Sequence, residues 1–246
     1  MSKLVSHPKA KSALTDMFDE TINYQRKPGT EGALSLVPDW CGKVVLDFGC
    51  GPAKYRERIE EWGAKWIGID MRGSSVSVKC DGHRLPFQDH SFDIVFAQAV
   101  FGHLHNPFEA ISEISRVCKP GGLFIGYVAF LEPFHMSYFH HSHKGIEHLL
   151  RSSKFEVTDI LPGRSGIEHQ FESLIFPRYI PYVTPVLSRG IRIFLYFCKK
   201  LLYLMASVRL LFLREPRSMR RRSLVSYRTY LEISYSGGLL FKGVKL

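Results

Sequence analysis

Short apolar runs alternate with amphipathic stretches along residues 41–161, and this alternation leaves few folds open to the chain. One run spans Val44 to Leu46 and ends in a Gly-rich turn, and another, in residues 91–100, is almost continuously apolar. A continuously apolar run is typical of a strand in a parallel sheet that helices cover on both faces. The alternation therefore predicts an α/β fold with a doubly wound, mostly parallel sheet.

Strands and helices are assigned along the chain from periodicity and turn residues. Helices are expected in residues 52–63, with Pro52 in the first turn and Gly63 as the C-cap, and in residues 106–122, where Lys119-Pro-Gly-Gly ends the helix. A further helix opens residues 145–161. The predicted strands cover residues 44–46, 64–70, 76–80, 91–100, 122–130 and the end of 145–161, followed by 223–235 and 237–246.

The charge divides the chain into two parts. The net charge of +10 comes from 33 Lys and Arg against 23 Asp and Glu. Residues 1–170 hold 19 basic and 20 acidic residues (−1), so residues 171–246 hold 14 basic and 3 acidic residues (+11). We interpret residues 1–246 as a single domain with a basic insertion. Its expected parts are a helical lead-in (1–40), a cofactor-binding core (41–161), a basic apolar helical insertion (171–225) and C-terminal strands (226–246).

The cysteines and the first residues restrict the compartment. The five cysteines are odd in number and form no C-x-x-C pair, which argues against a disulfide framework and against a zinc module. Residues 1–18 contain no apolar segment typical of a secretory signal. We therefore expect a cytoplasmic protein without a metal site. The hydrophobic share of 45% excludes a disordered polyelectrolyte.

The first predicted strand ends in a loop suited to a nucleoside-containing ligand. Gly49 and Gly51 let the backbone approach a ligand closely, and Asp70 ends the next strand, where a carboxylate can accept hydrogen bonds from both ribose hydroxyls. A dinucleotide fingerprint needs a third glycine where Lys54 stands. The carboxylate of Asp47 suits a cationic, amine-bearing ligand better than a pyrophosphate.

Four stretches occur in the order of a known family: VLDFGCG, then GID, then CDGHRLPFQDHSFDIV, and then GHLHNPFEAISEISRVCKPGG. Together they resemble a class I S-adenosylmethionine-dependent methyltransferase of the small-molecule type (methyltransferase domain 11-like). The resemblance covers about residues 40–161, with a weaker one in GGLLFKGVK, which resembles the family's seventh, antiparallel strand. It implies a Rossmann-like methyltransferase fold of seven strands, with S-adenosyl-L-methionine as the cofactor.

The resemblance also assigns roles to residues. The loop residues would hold the methionine moiety, Asp70 the ribose and Met71 the adenine face, while Asp81 would accept from the adenine amino group. The full set of expected cofactor-binding residues is Asp47, Gly49, Cys50, Gly51, Asp70, Met71, Asp81, Gly82 and Gln98. For Asp70 and Asp81 the alternative is a helix cap or turn former, and for Cys50 it is packing. The sequence departs from the family at two positions. The family frequently has Glu where Gly102 stands and Gly where Ala53 stands.

Two places are candidates for contact with the methyl acceptor. His103 could act as a general base near the end of the fourth strand, although packing on the following helix is the alternative. The segment after the fifth strand would line an acceptor pocket with His135, Tyr138, His140 and His141, or be an exposed loop ahead of a helix. The spacing of these histidines suits no tetrahedral metal site.

A basic, apolar helix is expected in residues 186–222. Its uncharged runs are too short to span a bilayer, which takes about 20 residues. One helical face would be basic and the rest apolar, which suits an anionic membrane surface. The alternative is a helix that covers the sheet or the pocket, with its basic face in water.

We therefore expect methyl transfer to a small or lipid-like acceptor, at a membrane surface if the helix binds one. A nucleic-acid methyltransferase ranks second, because basic and aromatic residues interleave in the insertion but AQAVFG replaces the D/N-P-P-aromatic motif usual after the fourth strand in such enzymes. The third alternative is a non-catalytic binding protein with the same fold. The oligomeric state stays open.

Overall fold

Seven strands form one sheet in the part of the chain that a computed structural model describes. The described residues are 18–19, 21–24, 32–131, 137–163, 190, 193–194, 196–198, 200–202, 204–205, 208 and 217–246, with the backbone alone for 217–224. The strands are β1 (Val44–Phe48), β2 (Lys65–Asp70), β3 (Val78–Lys79), β4 (Phe92–Gln98), β5 (Cys118–Ala129), β6 (Phe155–Pro162) and β7 (Gly238–Lys245).

The strand order is β3-β2-β1-β4-β5-β7-β6. All neighbouring strands are parallel except β7, which lies antiparallel between β5 and β6. The predicted seven-stranded, mostly parallel sheet with an antiparallel last strand is confirmed. Because β1 and β4 are neighbours while β2 and β3 extend the other way, the order reverses at β1, where ligands bind in such sheets.

Helices cover the sheet between the strands. The described helices are α1 (Arg56–Glu61), α2 (Pro107–Val117), α3 (His143–Ser152) and α4 (Arg217–Ser234), with short 3-10 helices at Gly32–Leu36 and Phe101–His103. Asn106 caps α2 by accepting the N–H of Glu109 at 3.3 Å, and Ser142 caps α3 by accepting the N–H of Gly145 at 3.1 Å.

Both faces of the sheet are buried, which explains the continuous apolar runs. Along β4, Val95 packs in a core with Leu46 on one face, while Ile94 and Phe96 pack with Val45 on the other. Alternate side chains of a strand point to opposite faces, so a strand covered on both sides is apolar at successive positions.

Three predicted boundaries in the core were wrong. The first helix starts at Arg56, so Pro52 precedes it, and β3 has two residues rather than five. Lys119-Pro-Gly-Gly belongs to β5 and contains an irregularity in its pairing with β4. The helix α2 stops at Val117 because Pro120 bars helical geometry at the residue before it.

The predicted strand in residues 223–235 was also wrong. Residues 223–234 lie in α4, which crosses the predicted boundary between the insertion (171–225) and the C-terminal strands (226–246). Val225, Tyr227 and Thr229 alternate as in a strand, but β preference is weak and packing overrides it. Leu231 is buried in the helix, which also carries an i,i+4 ion pair of 3.0 Å between Arg228 and Glu232.

Two predicted segments lie partly outside the described residues. Of the helical lead-in (1–40), the structure describes the 3-10 helix and a bridge between Asn23 and Asp159 of β6. Of the helix in residues 186–222, it describes helical positions between 190 and 208 and the start of α4. Among the described residues, no helix is both long and apolar enough to cross a membrane.

Candidate functional site

The carboxylate of Asp47 lies buried near the C-terminal end of β1. Its residue is 1% exposed, and the Nε1–H of Trp66 donates a hydrogen bond to its Oδ2 at 3.1 Å. Burial raises the pKa of Asp47 to about 6; the hydrogen bond from Trp66 opposes this rise and the nearby carboxylate of Asp70 adds to it. A buried carboxylate is costly when no positive charge accompanies it, so this position favours a cationic ligand.

Trp66 reaches Asp47 because Gly68 leaves room for the indole ring. A Cβ on Gly68 would stand 2.1 Å from the Cζ2 of Trp66. In the parallel pairing of β1 with β2, Trp66 is the partner of Val45 and Gly68 is the partner of Asp47. The glycine two residues after the tryptophan is therefore a structural requirement of the hydrogen bond to Asp47.

The N–H groups of the glycine loop are bonded within the protein. Those of Gly49 and Cys50 donate to the carbonyl of Ile69 at 2.8 and 2.9 Å, and that of Gly51 donates to the Oδ2 of Asp70 at 3.0 Å. A dinucleotide-binding loop directs its donors towards a pyrophosphate. Here these donors bind the end of β2, as expected for a loop that serves a different ligand.

Gly49 is required by its conformation and by Val100. Its φ is +71°, and a Cβ there would lie 2.6 Å from the Cγ2 of Val100, which follows β4. The side chain of Cys50, in contrast, is buried in the same apolar cluster as Trp66, and burial is the main cause that raises its pKa to about 12. Cys50 therefore contributes its backbone to this loop, while its thiol packs.

Asp70 holds the loop and keeps capacity for a ligand. Its Oδ2 accepts the N–H of Gly51 and its Oδ1 accepts the N–H of Arg72, both at 3.0 Å. Each carboxylate oxygen has two lone pairs, so both can accept a further bond from a hydroxyl. The neighbouring Met71 is 68% exposed and offers an apolar surface beside the carboxylate.

A third carboxylate, Asp81, follows β3, and the N–H of the preceding Cys80 donates to the carbonyl of Asp70 at 3.2 Å. Its Oδ1 accepts hydrogen bonds from the backbone N–H of His83 at 3.0 Å and from the Nδ1 of His83 at 2.6 Å, and these bonds lower the pKa of Asp81. A Cβ on Gly82 would stand 2.4 Å from the Cζ of Phe48, so the turn packs against the end of β1. The thiol of Cys80 lies close to both Asp70 and Asp81, since burial and these two carboxylates raise its pKa.

The L-P-F-x-D segment after this turn is held by Arg116 of α2. Its guanidinium donates to the carbonyls of Leu85 and Phe87 at 3.0 and 2.7 Å, and to the carboxylates of Asp89 and Glu113 at 2.8 Å. The N–H of Leu85 also donates to Glu113, at 2.8 Å. This half of the motif is therefore structural, and it fixes the segment that begins with Asp81.

The departure from the family at Gly102 has a steric cause. The carbonyl of Gly102 accepts the N–H groups of Tyr138 and Phe139 at 2.7 and 3.1 Å. A Cβ on Gly102 would lie 2.8 Å from the carbonyl oxygen of Phe139. The segment after β5 thus packs on Gly102 and leaves no room for a glutamate side chain.

Two predicted residues lie at the end of β4. Gln98 is the last residue of the strand and is half-buried, and His103 ends the following 3-10 helix with an exposed side chain. Their roles at the cofactor and at the acceptor stay predictions.

The structure describes three of the four residues expected to line the acceptor pocket. Tyr138 is 72% exposed, and the Nδ1 of His140 lies 3.0 Å from the carbonyl of Phe130. His135 lies outside the described residues. In the described part of the chain, no group of three or more His, Cys, Asp or Glu is arranged to hold a metal ion.

His141 differs from its neighbours because it is buried, at 8% exposure. Burial lowers its pKa, against the effect of a ring hydrogen bond to the carbonyl of Phe101. Within the described residues its Nε2 has no hydrogen-bond partner, so Nδ1 is the ring nitrogen that donates to Phe101. The buried side chain is thus a neutral imidazole with an unused acceptor.

The sheet order, the reversal at β1 and the carboxylates at the ends of β1 and β2 define a class I, Rossmann-like methyltransferase fold. Comparison with known families agrees, since residues 46–126 match the family described as "Methyltransferase domain". The chain therefore contains a methyltransferase domain of the class I, S-adenosylmethionine-dependent type, and the family predicted from the motifs is confirmed.

Known proteins show the same similarity. An uncharacterised methyltransferase of Mycobacteroides abscessus is 32% identical over 110 residues, which cover 38% of this chain and 42% of the relative, so the chain spans less than half of that relative's length. An S-adenosylmethionine-dependent methyltransferase structure from Mesorhizobium loti has a TM-score of 0.51 at 12% identity, covering 86% of this chain and 95% of the other. The [4+2]-cyclase SpnF has a TM-score of 0.52 at 19% identity, covering 95% and 80%.

Sequence reasoning missed four residues that shape the site: Trp66, His83, Val100 and Arg116. Trp66 could have been found from the glycine two positions later in a strand, where a large ring needs a small neighbour on the same face. Val100 and Arg116 act through contacts between distant segments, and the sequence carries no local signal for them. His83 bonds to Asp81 two residues earlier, so the short D-x-H spacing was a signal for it.

Proposed function

We propose that the chain transfers a methyl group from S-adenosylmethionine to a small or lipid-like acceptor. The observation that carries the proposal is the acidic end of β1 and β2, where Asp47 is buried without a cation among the described residues and Asp70 is fixed by Gly51. The cofactor's sulfonium makes its methyl group electrophilic and adds a positive charge. A dinucleotide, with its anionic pyrophosphate, would be repelled by the same carboxylates.

The residues of the chain would then divide the work of binding. Asp47 would face the cationic methionine portion, Asp70 would accept from the ribose hydroxyls, and Met71 would pack on the adenine. Gln98 would contact the methionine portion from the end of β4. Methyl transfer is an in-line displacement, so the main tasks of the protein are to align the acceptor and to exclude water.

His141 is the better-supported group on the acceptor side. Its neutral imidazole has an unused Nε2 inside the protein, whereas the imidazole of His103 is exposed. A buried acceptor without a partner is costly, which favours a methyl acceptor that donates a hydrogen bond from O–H or N–H. His140 and Tyr138 would contact the same acceptor.

Calorimetry and turnover test the proposal in two steps. Wild-type protein should bind S-adenosylmethionine. Asp70→Asn should bind it at least tenfold more weakly, because an amide replaces the carboxylate that would accept hydrogen bonds from the two ribose hydroxyls. Lys79→Gln, a change of one charge on the neighbouring strand, is the matched control. Release of S-adenosylhomocysteine is then measured against a panel of small hydroxyl and amine acceptors and a lipid extract. Absence of cofactor binding would refute the proposal.

A lipid-like acceptor and a membrane surface are supported by the helical positions between residues 190 and 208. Seven large apolar side chains are 43–67% exposed there, and at 100° per residue they fall within an arc of about 120°. They are Ile193, Phe194, Phe197, Leu201, Leu204, Met205 and Val208. At the edge of this apolar face, the ammonium of Lys200 lies 5.4 Å from the ring centre of Tyr196. An apolar face with a basic edge suits the surface of an anionic bilayer.

Liposome flotation tests this part of the proposal. The protein should float with vesicles that contain phosphatidylserine and less with neutral vesicles, and high salt should reduce the difference. Phe197→Glu should abolish flotation, while Tyr230→Glu, a similar change at an exposed aromatic residue of α4, should leave it unchanged. Equal flotation of both variants would contradict the role of the apolar face.

Two other functions have specific support. The likeness to a structure named as a [4+2]-cyclase indicates that this fold can serve a different reaction, so cofactor binding without any turnover would favour a non-methylating protein. The +11 charge of residues 171–246 supports a nucleic-acid acceptor, which methylation of total RNA in the same screen would reveal.

A further inference from the structure

His83 and Asp81 form a hydrogen-bonded pair whose geometry the backbone fixes. The Oδ1 of Asp81 accepts both the backbone N–H and the Nδ1–H of His83, at 3.0 and 2.6 Å. The side chain of His83 is 9% exposed, and the ring of His105 packs against it, with centres 4.0 Å apart and the ring planes tilted by 38°. The imidazole of His83 is therefore packed in place, while the carboxylate of Asp81 is 49% exposed and accessible to a ligand.

The backbone N–H of Asn106 determines which nitrogen of His83 carries the proton. This N–H points to the Nε2 of His83 at 3.4 Å, so Nε2 must be an acceptor. Nδ1 must then be the donor to Asp81, because a neutral imidazole has one donor and one acceptor nitrogen. Asn106 also caps α2 by accepting the N–H of Glu109, so its hydrogen bond holds the imidazole of His83 against the start of a helix.

Consequently the two oxygens of Asp81 are not equivalent. Oδ1 receives two hydrogen bonds from His83, whereas no donor within the described residues reaches Oδ2. A carboxylate held at one oxygen cannot rotate freely, so its second oxygen has a fixed direction. Gly82 packed on Phe48 fixes the same turn from the other side.

We propose that His83 is a positioning residue that makes the site selective for a 6-amino purine. This inference rests on the proposed function, in which Asp81 accepts from the adenine amino group. Held by His83, the Oδ2 of Asp81 accepts a hydrogen bond from an amino group and repels the carbonyl oxygen that a 6-oxo purine has in its place. Without the imidazole, Oδ1 keeps only the bond from the backbone N–H of residue 83, so the carboxylate can turn and the discrimination falls while the remaining contacts persist.

The test compares S-adenosylhomocysteine with S-inosylhomocysteine, its 6-oxo analogue, by calorimetry. Wild-type protein should bind the adenosyl ligand about 10- to 100-fold more tightly, the value of a hydrogen bond to a charged group. His83→Ala should reduce this ratio to about 3 or less, chiefly through weaker binding of the adenosyl ligand. His83→Asn, whose amide can still donate to Asp81, should restore most of the ratio, and His148→Ala on α3 is the control histidine.

The outcomes separate the two proposals. If wild-type protein binds neither ligand, the cofactor assignment fails. If it binds both equally, or if folded His83→Ala keeps the full ratio, the cofactor assignment stands and the role of His83 is refuted. A merely structural loosening would weaken both ligands alike and leave the ratio unchanged, which also refutes the positioning role.

Discussion

The buried carboxylate of Asp47 predicts a pH dependence that a single substitution removes. Its pKa is raised from an ordinary 3.8 to about 6, mainly by burial, and this difference corresponds to about 3 kcal/mol. The folded state holds the proton of Asp47 more tightly than the unfolded chain does. The contribution of protonated Asp47 to the free energy of unfolding is therefore complete below pH 3.8 and is lost as the pH rises through 6. Asp47→Asn is uncharged at every pH and lacks this loss.

Urea unfolding of the wild type and Asp47→Asn measures the effect. The free energy of unfolding of the variant, relative to wild type, should rise by about 2 kcal/mol between pH 4.5 and pH 7.5. The other carboxylates are common to both proteins and cancel. A relative stability that is the same at both pH values would show that the folded-state pKa of Asp47 is not raised, and would refute the reasoning.

Asp93 supplies a control of opposite sign. Burial raises its pKa, but hydrogen bonds from Lys119 and Val44 lower it more, so the net shift is downward. Ionised Asp93 therefore stabilises the fold above its ordinary pKa, and Asp93→Asn should become relatively less stable as the pH rises.

The carboxylate of Asp47 also links cofactor binding to proton release. A cationic ligand beside Asp47 favours its ionised form, so S-adenosylmethionine should bind with release of a proton near pH 6. Calorimetry in two buffers of different ionisation enthalpy measures this release, and Asp47→Asn should not show it.

Three further changes test features of the fold by urea unfolding or proteolysis. Ala53 has a φ of +58°, which strains a residue that carries a Cβ. Ala53→Gly should therefore stabilise the protein by about 0.5–1 kcal/mol, despite the flexibility of glycine in the unfolded chain. Destabilisation would show that Ala53 is not strained. Arg116→Met should cost about 3 kcal/mol because it leaves backbone carbonyls and carboxylates unpaired, whereas Arg58→Met, which loses an exposed contact of 3.8 Å, should cost less than 1. Gly102→Glu should destabilise the protein by about 2 kcal/mol and expose the segment at Phe139 to proteolysis. Wild-type stability and protease resistance would show that the segment moves to accommodate the glutamate.

The central part of the site could be predicted because consecutive strand ends of a parallel sheet meet at one edge. Asp47, the glycine loop and Asp70 follow such ends directly, so their proximity follows from the alternation of strands and helices alone. The hydrogen bond from Trp66 to Asp47 depends on the register of β1 and β2, which the sequence does not reveal.

Other features were predicted wrongly or missed for identifiable physical reasons. In α4 the alternation of β-branched and aromatic residues is typical of a strand, but burial of residues such as Leu231 and the ion pair of Arg228 with Glu232 favour the helix. Lys119-Pro-Gly-Gly was predicted to end the helix of residues 106–122, but it lies in β5, since Pro120 disfavours a helical conformation at Lys119. The steric role of Gly102 arises from a segment 36 residues later, at Tyr138, beyond the reach of any local pattern.

The antiparallel strand β7 carries a consequence for how the chain folds and diverges. Gly163 after β6 donates its N–H to the carbonyl of Gly238 at 2.9 Å, so the residues between them leave and re-enter the sheet at a narrow neck. The closure entropy of such a loop grows by only about 0.6 kcal/mol for each doubling of its length. A change in the length of the chain between Gly163 and Gly238 should therefore cost the sheet little closure entropy. The kinetic cost falls on β6, whose pairing with β7 must wait until the neck closes, and this makes it a late step in folding.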